Sequence, residues 1–258
     1  MKIACVQMDI AFGNPDENFI KVQRYIEEAT SNGADTIVLP EMWNTGYALT
    51  ELNTLADNDG QKTKELLVNF ARSHQVNIVG GSVSTKRNGQ FFNTMYVVNR
   101  EGELVSEYDK AHLFKLMDEH HYMEAGQSAN LFTLDGVKCG GVICYDLRFP
   151  EWIRKHVLQG AKVMFIPAEW PQKRIDHWQI LLQARAIENQ CFIVAVNRVG
   201  SDPNNEFNGH SMVIAPWGEL LVANEEAEGI YYAELNLEEI ERVRKTIPIF
   251  QDRRPELY

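Results

Sequence analysis

Cys144 stands where an apolar run, Gly140-Gly141-Val142-Ile143, gives way to the polar stretch Tyr145-Asp146-Leu147-Arg148, just before Phe149-Pro150-Glu151 opens a helix. A thiol at a strand-to-helix turn is expected at the exposed edge of a sheet, with the next backbone N–H free to bind a developing negative charge. The chemistry this permits is nucleophilic attack by sulfur with an oxyanion held beside it. Two further segments could serve that sulfur: Leu39-Pro40-Glu41 and Tyr108-Asp109-Lys110-Ala111-His112-Leu113. Each ends a predicted strand with a charged residue. Taken singly, Glu41 could be a solvated strand end and Lys110 an ordinary surface lysine.

The elements that must position these groups follow from side-chain periodicity. In the first half, strands are expected near 2–8, 35–40, 76–83, 92–99 and 103–108, with helices near 17–31 and 61–74. The second half repeats the order. Its strands fall near 137–144, 161–167, 190–197, 209–215, 219–223 and 229–235, and its helices near 150–159 and 173–188. The halves echo each other: Thr36-Ile37-Val38-Leu39-Pro40-Glu41 is matched by Val163-Met164-Phe165-Ile166-Pro167-Ala168-Glu169. Two such units can bury their sheets face to face with helices outside, an α/β four-layer α-β-β-α sandwich. The region 112–130 is polar and irregular, and a long polar loop in a compact domain is often functional.

Composition narrows the class. The chain has 258 residues, 45% of them apolar and 24% charged, as in soluble globular proteins. Its 25 basic and 36 acidic residues give a net charge of −11, which argues against nucleic acid as a partner. No apolar run is long enough to span a bilayer, and Met1-Lys2-Ile3-Ala4-Cys5-Val6 lacks the parts of a signal peptide, so no membrane partner is expected. Cys5, Cys139, Cys144 and Cys191 form no Cys-x-x-Cys pair. Reduced thiols, a cytoplasmic location and no zinc site are the reading. Cys5, Cys139 and Cys191 read as small buried hydrophobes. His120-His121 are adjacent with no third ligand evident, so no metal is expected.

The Glu41, Lys110 and Cys144 segments, in this order and spacing, resemble the nitrilase superfamily of carbon–nitrogen hydrolases. The resemblance runs from Ile3-Ala4-Cys5-Val6-Gln7 to Asp252-Arg253-Arg254-Pro255-Glu256-Leu257-Tyr258. It implies the same four-layer architecture in a single domain over 1–258, with a C-terminal tail over 245–258, and a homodimer packed through helices that follow the nucleophile. It implies amide hydrolysis without a cofactor. That reaction needs a strong nucleophile, a proton shuttle and an oxyanion site. Cys144 would be the nucleophile and Glu41 the shuttle, while Lys110 and the Tyr145 backbone N–H would hold the oxyanion. A second glutamate after the lysine is assigned to Glu119 rather than Asp118. His112 is read as a structural hydrogen-bonding residue. The run Cys144-Tyr145-Asp146-Leu147-Arg148-Phe149-Pro150-Glu151, with Glu169-Trp170-Pro171, resembles the ω-amidase and Nit-type branch. Its substrates are small dicarboxylic ω-amides of the 2-oxoglutaramate or 2-oxosuccinamate type. Trp170 would then line the substrate site, and Arg148 or Arg174 would meet the distal carboxylate. Other small-amide or N-carbamoyl hydrolysis, and a non-catalytic binding scaffold, are the alternatives.

Overall fold

The computed structural model describes residues 1–223 and 225–257; Asn224, and Tyr258 at the end of the expected tail, lie outside the described residues. Along the chain run β1 (Lys2–Gln7), α1 (Pro15–Ser31), β2 (Thr36–Val38), α2 (Leu52–Leu55), β3 (Asp57–Asn58), α3 (Gln61–His74), β4 (Asn77–Val79), β5 (Val83–Arg87), β6 (Gln90–Val98) and β7 (Leu104–Asp109). Then follow α4 (Glu119–Tyr122), β8 (Leu131–Leu134), β9 (Val137–Gly141), α5 (Pro150–Leu158), β10 (Val163–Ala168), α6 (Ile175–Asn189), β11 (Phe192–Asn197), β12 (Val199–Ser201), β13 (Glu206–Asn208), β14 (Met212–Ile214), β15 (Leu220–Val222), β16 (Gly229–Glu234) and α7 (Glu238–Thr246).

Alternation along the strands sets the layers. In the first sheet Ile3, Cys5, Val38, Val79, Met95 and Val97 join the core shared with the second sheet. Their neighbours Ala4, Val6, Ile37, Ile78, Tyr96 and Val98 pack instead against Phe19, Val22 and Ile26 of α1 and Leu66, Leu67 and Ala71 of α3. The second sheet is covered by Ile153 and Val157 of α5 and Trp178, Leu182 and Ala186 of α6. The α-β-β-α sandwich expected from sequence is therefore the observed architecture. Strands buried on both faces read as continuous apolar runs, as in β10 and β11, where every residue is buried.

The first sheet runs β16-β1-β2-β4-β6-β5-β3, with β7 also on β6; the second runs β15-β14-β11-β10-β9-β8. One strand departs from the half-by-half division. β16, from the end of the second half, pairs antiparallel with β1, Lys2 opposite Glu234. It covers an edge that would otherwise offer unpaired backbone groups. The expected strand 76–83 is broken between β4 and β5 at Gly80-Gly81. Gly81 has φ +58°, and a Cβ there would meet the Pro40 carbonyl oxygen at 2.0 Å. The break lets the chain fold tightly against the segment that carries Glu41. In the apolar tail Phe250 packs against the core of the sandwich, with the guanidinium groups of Arg154 and Arg244 5.3 and 4.8 Å from its ring centroid, while Ile247 stays exposed.

Candidate active site

The parallel strands β2, β9 and β10 lead at their carboxyl ends to Glu41, Cys144 and Glu169, the end of an α/β sheet where ligands usually bind. Lys110 follows β7 directly, its N–H donating to the Asn93 carbonyl of β6 at 2.9 Å. β9 stops at Gly141, earlier than expected, and Cys144 opens a tight 3₁₀ turn over Cys144–Arg148 with φ +45°. A positive φ at a side-chain-bearing residue is strained, and such strain gathers at functional sites. Tyr145 is second in that turn, where a backbone N–H has no partner inside the turn. Glu119 begins the short helix α4, and its Oε2 accepts the Phe114 N–H at 2.7 Å. The irregular 112–130 region is thus folded around a buried carboxylate.

Glu41, Lys110 and Glu119 are fully buried and in contact. The Lys110 ammonium donates to Glu41 Oε1 at 2.8 Å, to Glu119 Oε2 at 2.8 Å and to the Tyr47 hydroxyl at 3.2 Å. The Tyr47 hydroxyl in turn donates to Glu41 Oε1 at 2.8 Å. Asn93 Nδ2 bridges Glu41 Oε1 at 2.8 Å and Glu119 Oε1 at 3.0 Å. Glu41 Oε2 accepts the Glu169 backbone N–H at 2.7 Å. The Cys144 thiol and the Glu41 carboxylate lie close enough for each to shift the other's titration.

These contacts fix the protonation states. Burial pushes the Glu41 carboxyl up, but the Lys110 charge and the hydrogen bonds from Lys110 and Glu169, with the nearby Cys144 adding to them, outweigh it and hold Glu41 below the usual carboxylate range. Glu119 is raised: burial and the Glu41 charge act together against Lys110. Burial disfavours the Lys110 ammonium, yet the two carboxylates lift it well above an ordinary lysine. Burial and the Glu41 charge push the Cys144 thiol well up, with Lys110 offsetting only part. The centre thus holds an ionised Glu41, a charged Lys110 and a neutral thiol beside the base. That arrangement can move a proton from sulfur to Glu41 as sulfur attacks.

Burial corrects one expectation. Cys144 is not exposed at the sheet edge but only 5% accessible, and its surroundings do not favour thiolate. The reason is cover: Phe114 from the loop after Lys110, together with Trp170 and Pro171 after β10, closes over the turn. The thiol lies against a narrow pocket lined by Phe114, Cys144, Tyr145, Arg148, Trp170 and Arg174, with Glu169 and Pro171 completing it. Trp170 is pinned by Asn197, which accepts its N–H at 2.7 Å and donates to its carbonyl at 3.0 Å. The Arg148 guanidinium lies 4.7 Å from the Trp170 ring centroid, and its Nη2 is 3.3 Å from His177 Nδ1. The Arg174 guanidinium lies 5.4 Å from the Phe114 ring. Among the described residues neither arginine meets a carboxylate within ion-pair distance.

Sequence reasoning missed Tyr47, Asn93 and the role of the Glu169 side chain. Glu169 is fully buried and pushed up to about 8 by burial, with the Glu41 charge adding to it. Its Oε2 sits 3.2 Å from Arg198 Nη1, but that guanidinium also serves Asp9 Oδ1, the Ile10 carbonyl and the Val199 carbonyl, each at 3.0 Å. Glu169 Oε1 has no partner among the described residues, so it can carry a proton without breaking a contact. Among the described residues no group of three or more His, Cys, Asp or Glu could hold a metal ion.

Comparison with known proteins places this geometry in context. The carbon–nitrogen hydrolase family matches residues 2–245. The chain is 53% identical over 256 residues to the 2-oxoglutaramate amidase of Bacillus subtilis strain 168, covering 99% of this chain and 98% of that protein. It is 35% identical over 258 residues to the omega-amidase YafV of Escherichia coli strain B / BL21-DE3, covering 98% and 96%. The crystal structure of XC1258 from Xanthomonas campestris, a CN-hydrolase superfamily protein with an arsenic adduct in the active site, superposes with a TM-score of 0.92 at 29% identity, covering 98% of this chain and 97% of that one.

Proposed function

The chain belongs to the carbon–nitrogen hydrolase family and is an enzyme acting on amides, and we propose that it hydrolyses the terminal amide of small dicarboxylic ω-amides of the 2-oxoglutaramate type. The observation that carries this reading is the pair Arg148 and Arg174 on the pocket beside Cys144, facing aromatic rings and an imidazole rather than carboxylates. Burial pulls the Arg148 guanidinium down and Arg174 repels it, so an anionic ligand group would be well received between them. The similarity to a 2-oxoglutaramate amidase supports the same substrate class.

The proposed reaction uses the buried centre in two halves. Cys144 attacks the amide carbonyl as its proton passes to Glu41. Lys110 and the Tyr145 N–H stabilise the oxyanion, Lys110 exchanging its 3.2 Å bond to Tyr47 for the new charge. Glu41 returns the proton to nitrogen, ammonia leaves and a thioester remains on Cys144. Water then attacks the thioester carbonyl as Glu41 takes its proton. The tetrahedral intermediate collapses, the acid departs, and the sulfur regains a proton from Glu41. Glu119 holds Lys110 in place through its 2.8 Å contact. The setting proposed is a cytoplasmic homodimer formed through the α5 and α6 side, where Leu158, Ile180 and Ile187 are exposed. A strictly monomeric mass at micromolar concentration would contradict that assembly.

The test is kcat/KM for 2-oxoglutaramate, succinamate, a neutral aliphatic amide and a carbamoyl amine. Losing a hydrogen bond to a charged group costs about 1.5–3 kcal/mol, so the acids should be preferred by about tenfold or more. A neutral amide that equals or beats the acids would replace this reading with general aliphatic amidase activity. Turnover of the carbamoyl amine alone would replace the substrate class while keeping the proposed catalytic set.

A further inference from the structure

Asp146 lies two residues beyond the sulfur, is fully buried and does not line the pocket. Its carboxylate nevertheless gathers both sides of the site. Oδ2 accepts the Ile143 backbone N–H at 2.9 Å and the Tyr108 hydroxyl at 2.8 Å. Oδ1 accepts the His112 backbone N–H at 3.0 Å and faces the His112 ring at Nδ1, 2.6 Å away. Ile143 immediately precedes Cys144. Tyr108 and His112 flank Lys110 by two residues on either side.

The flanking groups are themselves fixed. The Tyr108 hydroxyl accepts the Ala111 N–H and the Trp152 Nε1–H, both at 3.2 Å. The His112 ring stacks on Phe149 with centroids 3.7 Å apart. The lysine segment follows β7 of the first sheet and the cysteine turn follows β9 of the second. One side chain therefore joins segments hung from opposite sheets, and two of its four donors are backbone N–H groups that cannot turn away. A buried network with every member satisfied holds its geometry firmly.

We propose that Asp146 is the positioning residue that sets Cys144 against Lys110, locking the nucleophile's turn to the lysine's segment through one shared carboxylate. This rests on the reading of Cys144 and Lys110 as reacting groups. It assigns Asp146 no contact with substrate. Its effect should appear in the rate of the chemical step rather than in binding.

Asp146→Asn keeps the shape but offers one acceptor oxygen. Whichever way the amide is turned, its NH2 meets a backbone N–H, that of Ile143 or that of His112. In folded Asp146→Asn, kcat should fall about 10- to 100-fold, as expected for displacement of a reacting group from its productive geometry. KM should stay within about threefold, and alkylation of Cys144 should slow in parallel. Tyr108→Phe and His112→Ala each keep the carboxylate and both backbone bonds, so each should cost less. Asp146→Asn combined with His112→Ala should cost less than the product of the single losses, because the two act through one contact. The proposal is overturned if folded Asp146→Asn keeps kcat within about threefold, or if its loss lies in KM alone. Should Asp146→Asn not fold, the Tyr108→Phe/His112→Ala double variant decides: a lower kcat at constant KM supports the proposal and an unchanged kcat overturns it. Cys144→Ala separates the two readings. Turnover surviving in that variant sinks the underlying mechanism, whereas its loss together with an unaffected Asp146→Asn sinks only the role given to Asp146.

Discussion

At the centre of the site Glu41, Lys110 and Glu119 are fully buried, and the ammonium lies 2.8 Å from each carboxylate. At its mouth Arg148 and Arg174 are partly exposed and face an imidazole and aromatic rings. The centre is complete without a ligand, and the mouth is not. Closed, compensated charge in a dry interior suits a reaction, because preorganised groups act most strongly where water is excluded. Uncompensated cations on a small pocket suit selection of an anion. The proposed division of labour is chemistry at the centre and substrate choice at the mouth.

Changes at the centre should be the most damaging. Cys144→Ala and Glu41→Gln should each lower kcat about 1,000-fold or more while the protein stays folded, since each removes a member of a unit that works together. Lys110→Met should cost about a hundredfold or more in rate through the lost oxyanion charge. It should also lower stability, by about 3 kcal/mol or more, because two buried carboxylates lose their counter-ion. Steady-state kinetics with thermal melts would check both, and near-normal turnover in any folded variant would remove that residue from its role.

A smaller effect concerns Glu169, which sits between the two regions. Its folded value is raised to about 8 from an ordinary carboxylate value of 4.5. Above the lower value the unfolded chain releases this proton, while the folded chain keeps it until near the upper one. The contribution is thus fully present below 4.5 and is lost as pH rises through the window to about 8. Glu169→Gln, which is always neutral, escapes that loss. The melting temperature of the variant minus that of the parent should therefore increase from pH 5 to pH 8. A flat difference across that range would mean that Glu169 is ionised when folded.

Cysteine reactivity gives the mildest contrast. Cys144 alone among the four cysteines lines a pocket, whereas burial pushes Cys5, Cys139 and Cys191 up to about 12 with no such opening. Brief iodoacetamide treatment and peptide mapping should find Cys144 labelled first. The rate should be slow for a cysteine and should climb with pH, because its own thiol is also raised. Preferential labelling of another cysteine would count against the nucleophile.

Cys144 was legible in the sequence, because it stands where an apolar run turns polar; Glu41 and Lys110 each end a strand with a charge, but only the family order of the three segments separated them from ordinary surface residues. Glu119 needed the family resemblance, since nothing local separates it from Asp118. Asn93 was hidden inside β6, among residues that read as ordinary strand, and only the fold brings it against Glu41 and Glu119. Tyr47 lies beyond the strand end in a segment with no regular period. The burial of Cys144 was misjudged because its cover comes from Phe114 and Trp170, distant in sequence. Periodicity identified β16 as a strand but could not say which sheet it joins. The β8–β9 hairpin was readable in hindsight from Asp135-Gly136, a favoured turn pair between paired strands. Helix α7 was missed because it is short and rich in charge, with Glu238, Glu239 and Glu241 in its first turn and Arg244 and Lys245 in its last, and buries only Ile240 and Val243.

The most direct test of the division between centre and mouth is kcat/KM for 2-oxoglutaramate and for its analogue with a methyl group in place of the distal carboxylate, in the parent enzyme and in Arg148→Met and Arg174→Met. The account predicts a preference for the acid of about tenfold or more, corresponding to the loss of a hydrogen bond to a charged group. At least one arginine variant should abolish most of that preference while leaving the neutral analogue within about threefold of its parent rate. Equal rates for acid and analogue in the parent, or arginine variants that slow both substrates alike, would contradict it.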